Sequence, residues 1–528
     1  MDSPRHIAPE TEGHGRLGLA AVVAVLILAA ALGAFKADAS NPDLFWHLRA
    51  GQWIWEERAV PRTDMFSFSR LGREWIDAQW LFQLALYGCY WFFGATGFNL
   101  FTMLAAMGAA ALLMAAPVDR LRWEWRGLAG VMVLLAIGPR LYPRPELFTF
   151  LNLAAMFFLL ERARAGRLTL LVPVILVQLL FANSEGLWPI GVGLTWSYGL
   201  DAAFAEWRYG QRAEWRRLAP WAAAMAAVAL VNLLQPYGWR GFTFPFVLLT
   251  EVLHPGTAHK NVIGEFAPVH ANSSLLRMAL PFLILAPVAL ASVFFRGKQP
   301  RPFLALLGLL LAGLGVSAVR NIGVGGVVLG GILMVQLPGW WARGAGRIER
   351  WTRAAGLAAV ALAAVFSLLA LTAPTRWWDS TYRKPGLGVY EKDFPAASVG
   401  LLKEIGYRGG IINPEWMGGY LIWSGWPEWK VLADSRMEVG GEQAILYCFK
   451  VYNSMDAMTA VAVTFDANAA VMSLRPPYTE VFRQMLSDRR WVLVQVDRGG
   501  GVFLRRDSGW DREIERLEIK DPLGYEFE

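Results

Sequence analysis

The sequence predicts a mainly α, polytopic membrane protein: a helical bundle of about eleven spans, alternatively twelve, with a small carboxy-terminal α/β domain. Three observations predict it. Of 528 residues, 55% are hydrophobic and 18% charged, where a soluble globular chain runs near 45–50% apolar and about 25% charged. The excess gathers in runs of about 17–22 residues, the length that crosses a hydrocarbon core about 30 Å thick. Short arginine-rich stretches separate those runs, and beyond Pro374 the pattern becomes short strands alternating with helices.

The first run, Leu17 to Phe35, follows a polar amino end and Arg16. It is longer than the apolar core of a secretion signal and no small-x-small site closes it, so it reads as the first span, amino end inside. Later spans fall at about 98–117, 127–139, 146–160, 168–182, 187–204, 218–235, 275–295, 303–319, 321–337 and 354–373. The basic stretches 119–126, 161–167, 206–217, 296–301 and 338–353 all fall on one side if there are eleven spans. Cytoplasmic loops retain Lys and Arg, which sets the orientation. Trp80 to Phe93 is apolar but only 14 residues long and crowded with aromatics. It reads as an interfacial helix on the outer surface; counting it as a span gives twelve and inverts every later loop. Residues 1–373 then form the membrane domain, with outer loops at 38–97 and 236–274, and 374–528 a soluble extracytoplasmic domain. The expected location is a membrane crossed many times, with the amino end cytoplasmic. In the last domain, 410–413, 430–433, 491–496 and 501–504 read as strands, 395–406 and 477–489 as helices.

Composition also excludes several classes. Two cysteines, Cys89 and Cys448, leave no disulfide framework and no cysteine-based metal site. Residues 1–373 hold 31 Lys and Arg against 21 Asp and Glu, and residues 374–528 hold 19 against 22. The net +7 therefore belongs to the membrane part and its inner loops, and no nucleic-acid-binding pattern accompanies it.

The first outer loop is the informative one. Asn41-Pro42 before Asp43 is a helix-start signal, and a helix there sets Asp43 and His47 at i and i+4 on one face. A carboxylate at the outer end of the first span, beside a His and ringed by Trp, is suited to take a proton from an alcohol once a partly dry setting raises its pKa. The same residues also suit a helix cap, a hydrogen-bonded His and interfacial Trp anchors.

The run Asp43-x-x-Trp46-His47-Leu48-x-x-Gly51-x-Trp53-Ile54, with Pro61-Arg62-Thr63-Asp64-x-Phe66-Ser67-Phe68 and Trp75-Ile76-Asp77-x-Gln79-Trp80, resembles a bacterial family of multi-spanning GT-C-type glycosyltransferases. That family is distantly similar to the protein mannosyltransferases and to the aminoarabinose transferase of lipid A. The resemblance continues through Pro143-Arg144-Pro145-Glu146, Asn232-x-x-Gln235-Pro236-Tyr237-Gly238-Trp239, Gly418-Gly419-Tyr420 and Asp434-x-Arg436, and covers most of the chain. It implies a polyprenyl-phosphate-linked sugar donor, transfer on the outer face of a bacterial cytoplasmic membrane, and a glycan, lipid or protein acceptor. It also implies that the acid of the first outer loop, here Asp43, acts as general base or helps hold a divalent metal ion. Many such enzymes have two neighbouring acids; here Leu44 follows Asp43, with Asp64 and Asp77 the nearest substitutes. Asn183-Ser184-Glu185-Gly186 stands where related chains often carry Asn-Leu-His-Gly, so Glu185 replaces an imidazole.

A lipid phosphate needs arginine forks or a lysine point charge. Arg140 and Arg144 close the third span, Arg320 interrupts two apolar runs, and His254, His259 and Lys260 lie in the second outer loop. Ionisable residues at membrane depth are functional candidates, although snorkelling or pairing with Glu146 and Glu185 would occupy them equally well. The expected function is an inverting sugar transferase with Asp43, His47 and Asp77 at the reaction centre, Arg140, Arg144, Arg320, His259 and Lys260 on the donor phosphate, and Asp64, Glu146 and Glu185 in support. The alternatives are a lipid or polysaccharide transporter or flippase and a non-catalytic assembly protein of the same fold.

Overall fold

The computed structural model describes residues 10–118, 121–209, 215–253, 264–294, 300–343, 345–372, 384–439, 441–475, 478–497, 499–506 and 508–520. Arg120, His254, His259 and Lys260 lie outside these. The helices are α1 (Glu10–Gly33), α2 (Leu44–Glu57), α3 (Trp80–Phe93), α4 (Thr96–Ala115), α5 (Trp123–Ile137), α6 (Glu146–Arg164), α7 (Leu171–Ser184), α8 (Pro189–Tyr209), α9 (Trp215–Leu230), α10 (Gly238–Leu253), α11 (Ser273–Phe294), α12 (Pro302–Ser317), α13 (Ile322–Arg343) and α14 (Ala345–Thr372). After these come α15 (Ala396–Glu404), α16 (Glu415–Gly425), α17 (Gly441–Tyr452), α18 (Met455–Thr464), α19 (Thr479–Ser487) and α20 (Asp511–Leu517). The five strands of the main sheet are β1 (Gly409–Ile412), β2 (Trp429–Val431), β3 (Ala469–Met472), β4 (Trp491–Val496) and β5 (Gly501–Arg505). The chain divides into two compact units.

The first unit comprises Met1–Phe35, Asn99–Leu249 and Ile263–Gly386. Among the described residues, five helical segments are long and apolar enough to cross a bilayer: Gly15–Gly33, Thr96–Ala115, Ser273–Val293, Val319–Pro338 and Trp351–Thr372. Leu218–Leu234 and Gly238–Thr250 would together make a sixth, bent by 103° where Pro236 cannot continue the helical hydrogen bonds. α13 lies at the centre, packed against α5, α6, α11 and α12. It is lined with glycine because its neighbours approach its backbone: a Cβ on Gly330 would overlap Val133, and one on Gly331 would overlap the Phe157 ring. Small residues give close van der Waals packing where bilayer lipid removes the hydrophobic drive between helices.

The arginine-rich loops of this unit are tied down by carboxylates. Arg301 pairs with Glu161, which also accepts from the Tyr198 hydroxyl at 2.8 Å and from Arg164 at 3.2 Å. Asp201 accepts from the Phe303 and Leu304 amides at 2.9 and 3.2 Å, satisfying orphan donors at the start of α12.

The second unit comprises Lys36–Phe98, Thr250–Val262 and Leu387–Glu528, so the first outer loop clusters with the carboxy-terminal segment. Its sheet has the order β2-β1-β3-β5-β4, with β1 parallel to β2 and β3, and β5 antiparallel to β3 and β4. Alternating side chains feed two cores, as the two-residue strand period requires: Ile411, Val471 and Val502 on one side, Ile412, Met472 and Phe503 on the other. Strand β3 is the one that sequence patterning overlooks, because Ala469-Ala-Val-Met472 is buried on both faces and shows no alternation.

The first outer loop builds one of those cores. Trp46, Ala50, Phe66 and Trp75 pack with Ile411, Val431 and Val502. Residues 66–68 also extend the sheet at β2: Phe68 N donates to the Val431 carbonyl at 3.0 Å and Val431 N to that of Phe66 at 3.2 Å. An edge strand is thereby covered. α3, at 14 residues about 21 Å long, is short for a crossing; it packs on α2, where a Cβ on Gly51 would overlap the Gln83 carbonyl. Its far end leaves Trp91, Phe92 and Phe93 exposed.

Gly331→Leu should destabilise the bundle by about 1–3 kcal/mol through overpacking against Phe157. Gly313→Leu, where a side chain meets open space, should leave it within about 0.5 kcal/mol. Thermal unfolding of both variants in detergent checks this, and equal unfolding temperatures would contradict the packing argument.

Candidate functional site

In the second unit α2 starts at Leu44, with Asp43 as the residue just before it. Asp43 makes no capping hydrogen bond through its side chain; its Oδ1 accepts from Trp46 Nε1 at 3.3 Å. The same indole nitrogen donates to Ser435 Oγ at 3.1 Å. Trp46 thus draws Asp43 toward the segment after β2. Asp43 is half-buried and His47 one turn on is buried, its ring tilted on Trp46 at 3.6 Å between centroids and meeting Phe82 edge-on at 5.2 Å. The i, i+4 spacing is realised, but the imidazole lies among aromatic rings.

Gly418-Gly419 explains how α16 reaches this place. A Cβ on Gly418 would overlap the Ala433 carbonyl, and one on Gly419 would come within 2.6 Å of the Pro42 carbonyl. Two glycines let one helix touch both the start of α2 and the loop after β2.

That loop carries Arg436, whose side chain has no exposed surface. Nη2 meets Asp64 Oδ1 and Asp434 Oδ2 at 2.7 Å each, and Nε meets Asp434 Oδ1 at 2.8 Å. Asp64 also accepts the Phe66 amide at 3.0 Å, the Ser67 amide at 3.3 Å and the Ser67 hydroxyl. The Arg436 guanidinium lies 4.6 Å from the Trp75 ring centroid and 5.0 Å from that of Phe66. The carboxylate of Asp64, a supporting candidate in the sequence, is therefore committed to joining the first outer loop to the sheet.

Asp77 is fully buried. Its Oδ1 accepts from Gln83 Nε2 at 2.7 Å and the Gln79 amide at 3.2 Å, and its Oδ2 has no hydrogen-bond partner among the described residues. Burial, then the nearby Glu438 charge, pushes its carboxyl up to about 8, against those two hydrogen bonds and Arg436. Burial likewise lifts Glu438 to about 7, with Asp43 and Asp434 adding to the rise and its own amide and Arg436 opposing it. Glu438, which no sequence motif marks, joins Asp43 and Asp77 here; its only signal is its place two residues past Arg436.

In the first unit, three cations from separate places in the sequence converge. Arg140, on the turn after α5, holds Glu146 Oε2 through Nε and Nη2 at 2.9 Å each, and Nη1 meets Glu265 Oε1 at 3.2 Å. Arg144 Nη1 pairs with the same Glu265 oxygen. Arg320 lies 4.6 Å over the Phe266 ring, and its charge acts on Glu265. A Cβ on Gly323 would overlap the Glu146 carboxylate, so that glycine gives the Arg140–Glu146 pair its room. Burial works to raise the Glu265 carboxyl, but Arg140, Arg144 and Arg320 outweigh it and hold it well below the usual range.

Glu265 is absent from the sequence-derived candidates. One signal could have found it: it is the only Asp or Glu between Glu251 and Glu349. Glu185 accepts the Gly186 amide at 2.8 Å and contacts none of the three arginines through that bond. The polar side chains around Asn232 hold one another: Gln178 Nε2 donates to Asn232 Oδ1 at 2.8 Å, and Gln235 Nε2 to the Asn232 carbonyl at 3.0 Å. Among the described residues no three His, Cys, Asp or Glu side chains group as metal ligands; Asp64 and Asp434 face Arg436 instead.

No protein-family model matches the chain, and no curated protein sequence matches it. Solved structures do. Oligosaccharyltransferase AglB from Archaeoglobus fulgidus, in complex with an inhibitory peptide and a dolichol-phosphate, aligns at TM-score 0.60 and 12% identity over 93% of this chain and 74% of its own. ArnT from Cupriavidus metallidurans bound to undecaprenyl phosphate aligns at TM-score 0.51 and 13% identity, covering 93% of this chain and 98% of its own. The apo state of ArnT gives 0.52 at the same identity and coverage. The chain has a GT-C-like fold, as its motifs suggest; at 12–13% identity the likeness is one of fold.

Two outcomes test the geometry. A neutral Asp77 is favoured in the folded chain, so its contribution to stability is complete below about pH 4 and is lost as pH rises toward about 8. Asp77→Asn should therefore gain on the wild type between those values, by at most about 1.4 kcal/mol per pH unit, and level off above. Unfolding curves at pH 5, 7 and 9 measure it; a gap independent of pH would refute the assignment. Arg436→Met strands Asp64 and Asp434 and should cost about 3–5 kcal/mol, read as faster proteolysis of the second unit.

Proposed function

We propose that the protein transfers a sugar from a polyprenyl-phosphate carrier to an acceptor hydroxyl on the outer face of a bacterial cytoplasmic membrane. The observation that supports this reading most is the meeting of Arg140, Arg144 and Arg320 around one carboxylate, in a fold shared with proteins solved with dolichol-phosphate and undecaprenyl phosphate. In this reading eleven helices span the membrane, α3 lies at the interface on its exposed aromatic end, and the sheet domain is extracytoplasmic.

Asp43 acts as general base. It takes the proton of the acceptor hydroxyl while that oxygen bonds to the anomeric carbon. The carbon–oxygen bond to phosphate breaks on the opposite face, so the configuration inverts, and the electron pair leaves with the lipid phosphate. Arginines at that phosphate neutralise the charge it gains, the kind of preorganised electrostatic help that is often the largest catalytic contribution. Trp46 orients Asp43 through its indole N–H. Asp77 and Glu438, with carboxyls raised toward neutrality, keep the surroundings short of negative charge.

The test needs no knowledge of the sugar. Cells carrying Asp43→Asn at wild-type expression should accumulate one polyprenyl-phosphate sugar relative to cells with the wild-type protein, seen by mass spectrometry of extracted lipids. Identical lipid pools would remove Asp43 from the chemistry and favour a transporter built on the same fold.

A further inference from the structure

The arginine group is charged in a particular way. Arg140, Arg144 and Arg320 bring three positive charges, and Glu146 and Glu265 two negative ones, so the group carries a net charge of +1. The two acids are not equivalent. Glu146 is about as buried as its partner Arg140, at 9% and 10% of side-chain exposure, and is locked to it through two nitrogens. Glu265 keeps 35% of its surface exposed while touching Arg140 and Arg144 through a single oxygen. It forms the open face of the group. Arginines this poorly exposed interact with an incoming anion through a medium of low effective dielectric, so one unit of charge more or less is felt strongly.

Phosphate lipids differ in that unit. A phosphodiester, the linkage in a lipid-phosphate sugar, carries one negative charge; the monoester left after transfer carries roughly −1.5 to −2 near pH 7, and a diphosphate more. A site of net +1 matches the diester and leaves the other two in excess. We propose that Glu265 is a specificity-determining residue that tunes this group to singly charged phosphodiester lipids and against monoesters and diphosphates. The proposal rests on the reading of Arg140, Arg144 and Arg320 as a phosphate site. It assigns the site to donors joined through one phosphate, and it makes the spent lipid phosphate a poorer ligand than the donor, which favours its departure.

Three probes test it on the full-length protein in nanodiscs: farnesyl methyl phosphate, farnesyl phosphate and farnesyl diphosphate, with affinities from native mass spectrometry. Wild type should bind the diester best. Glu265→Gln should improve binding of the monoester and diphosphate about tenfold or more relative to the diester, and Glu265→Asp should return the wild-type order. Glu265→Ser, read the same way, covers the case in which the glutamine variant does not fold. A change equal for all three probes, or a loss for all three, overturns the proposal while leaving the phosphate site standing. Wild type that binds none of them, or Arg144→Gln that binds them as well as wild type, overturns the phosphate site and the proposal together.

Discussion

A guanidinium without exposed surface is tolerable only when its charge is answered in place. Arg436 is answered by Asp434, two residues away, and by Asp64, from the far end of the chain. Removing a charge from water costs several kcal/mol, which good pairing and hydrogen bonds must offset. Both carboxylates are needed, so the first outer loop cannot leave the sheet without stranding a buried cation. The loop's aromatic residues then complete a core that the strands alone would leave open. Asp43, Trp46 and Ser435 come together as a consequence.

A second charge problem organises the helical unit. Arg140 and Arg144 are about 10% exposed, and Glu146 and Glu265 make that burial possible. The glycines of α13 contribute by absence: Gly323 leaves the volume that the Glu146 carboxylate fills. Packing and electrostatics are thus one arrangement here. A stabilising carboxylate is also a standing competitor for any anion the arginines bind, so stability and ligand preference are set by the same side chain.

The two groups of residues differ in what their environment does to protons. Around Asp77 and Glu438, burial outweighs the single cation Arg436 and both carboxyls rise toward neutral pH. Around Glu265, three cations outweigh burial and the carboxyl stays ionised. Desolvation and neighbouring charge act in both places, and the count of nearby arginines decides the sign.

Much of the fold was legible because apolar runs and arginine-rich loops are one-dimensional signals: each of the eleven predicted segments contains a helix. Among the described residues, however, only five, or six with the bent pair, are long and apolar enough to cross a bilayer. The GT-C-like fold agrees with the resemblance its motifs carry. The three arginines were legible too, since cations at the ends of apolar runs stand out in composition. Their meeting was not, because residues 140, 144 and 320 adjoin only when α5 and α13 pack. Glu265 stayed hidden because it lies in a single 3-10 turn, Gly264–Phe266, too short for a period and without a motif. Asp64 and Asp77 look alike in sequence, yet Arg436 pairs directly with one, while burial outweighs the more distant Arg436 charge and raises the pKa of the other. The sequence by itself determined which segments are helical, how apolar they are and where charge is permitted. Tertiary structure decided which charges meet, because a carboxylate's partner and its solvent are properties of the space around it.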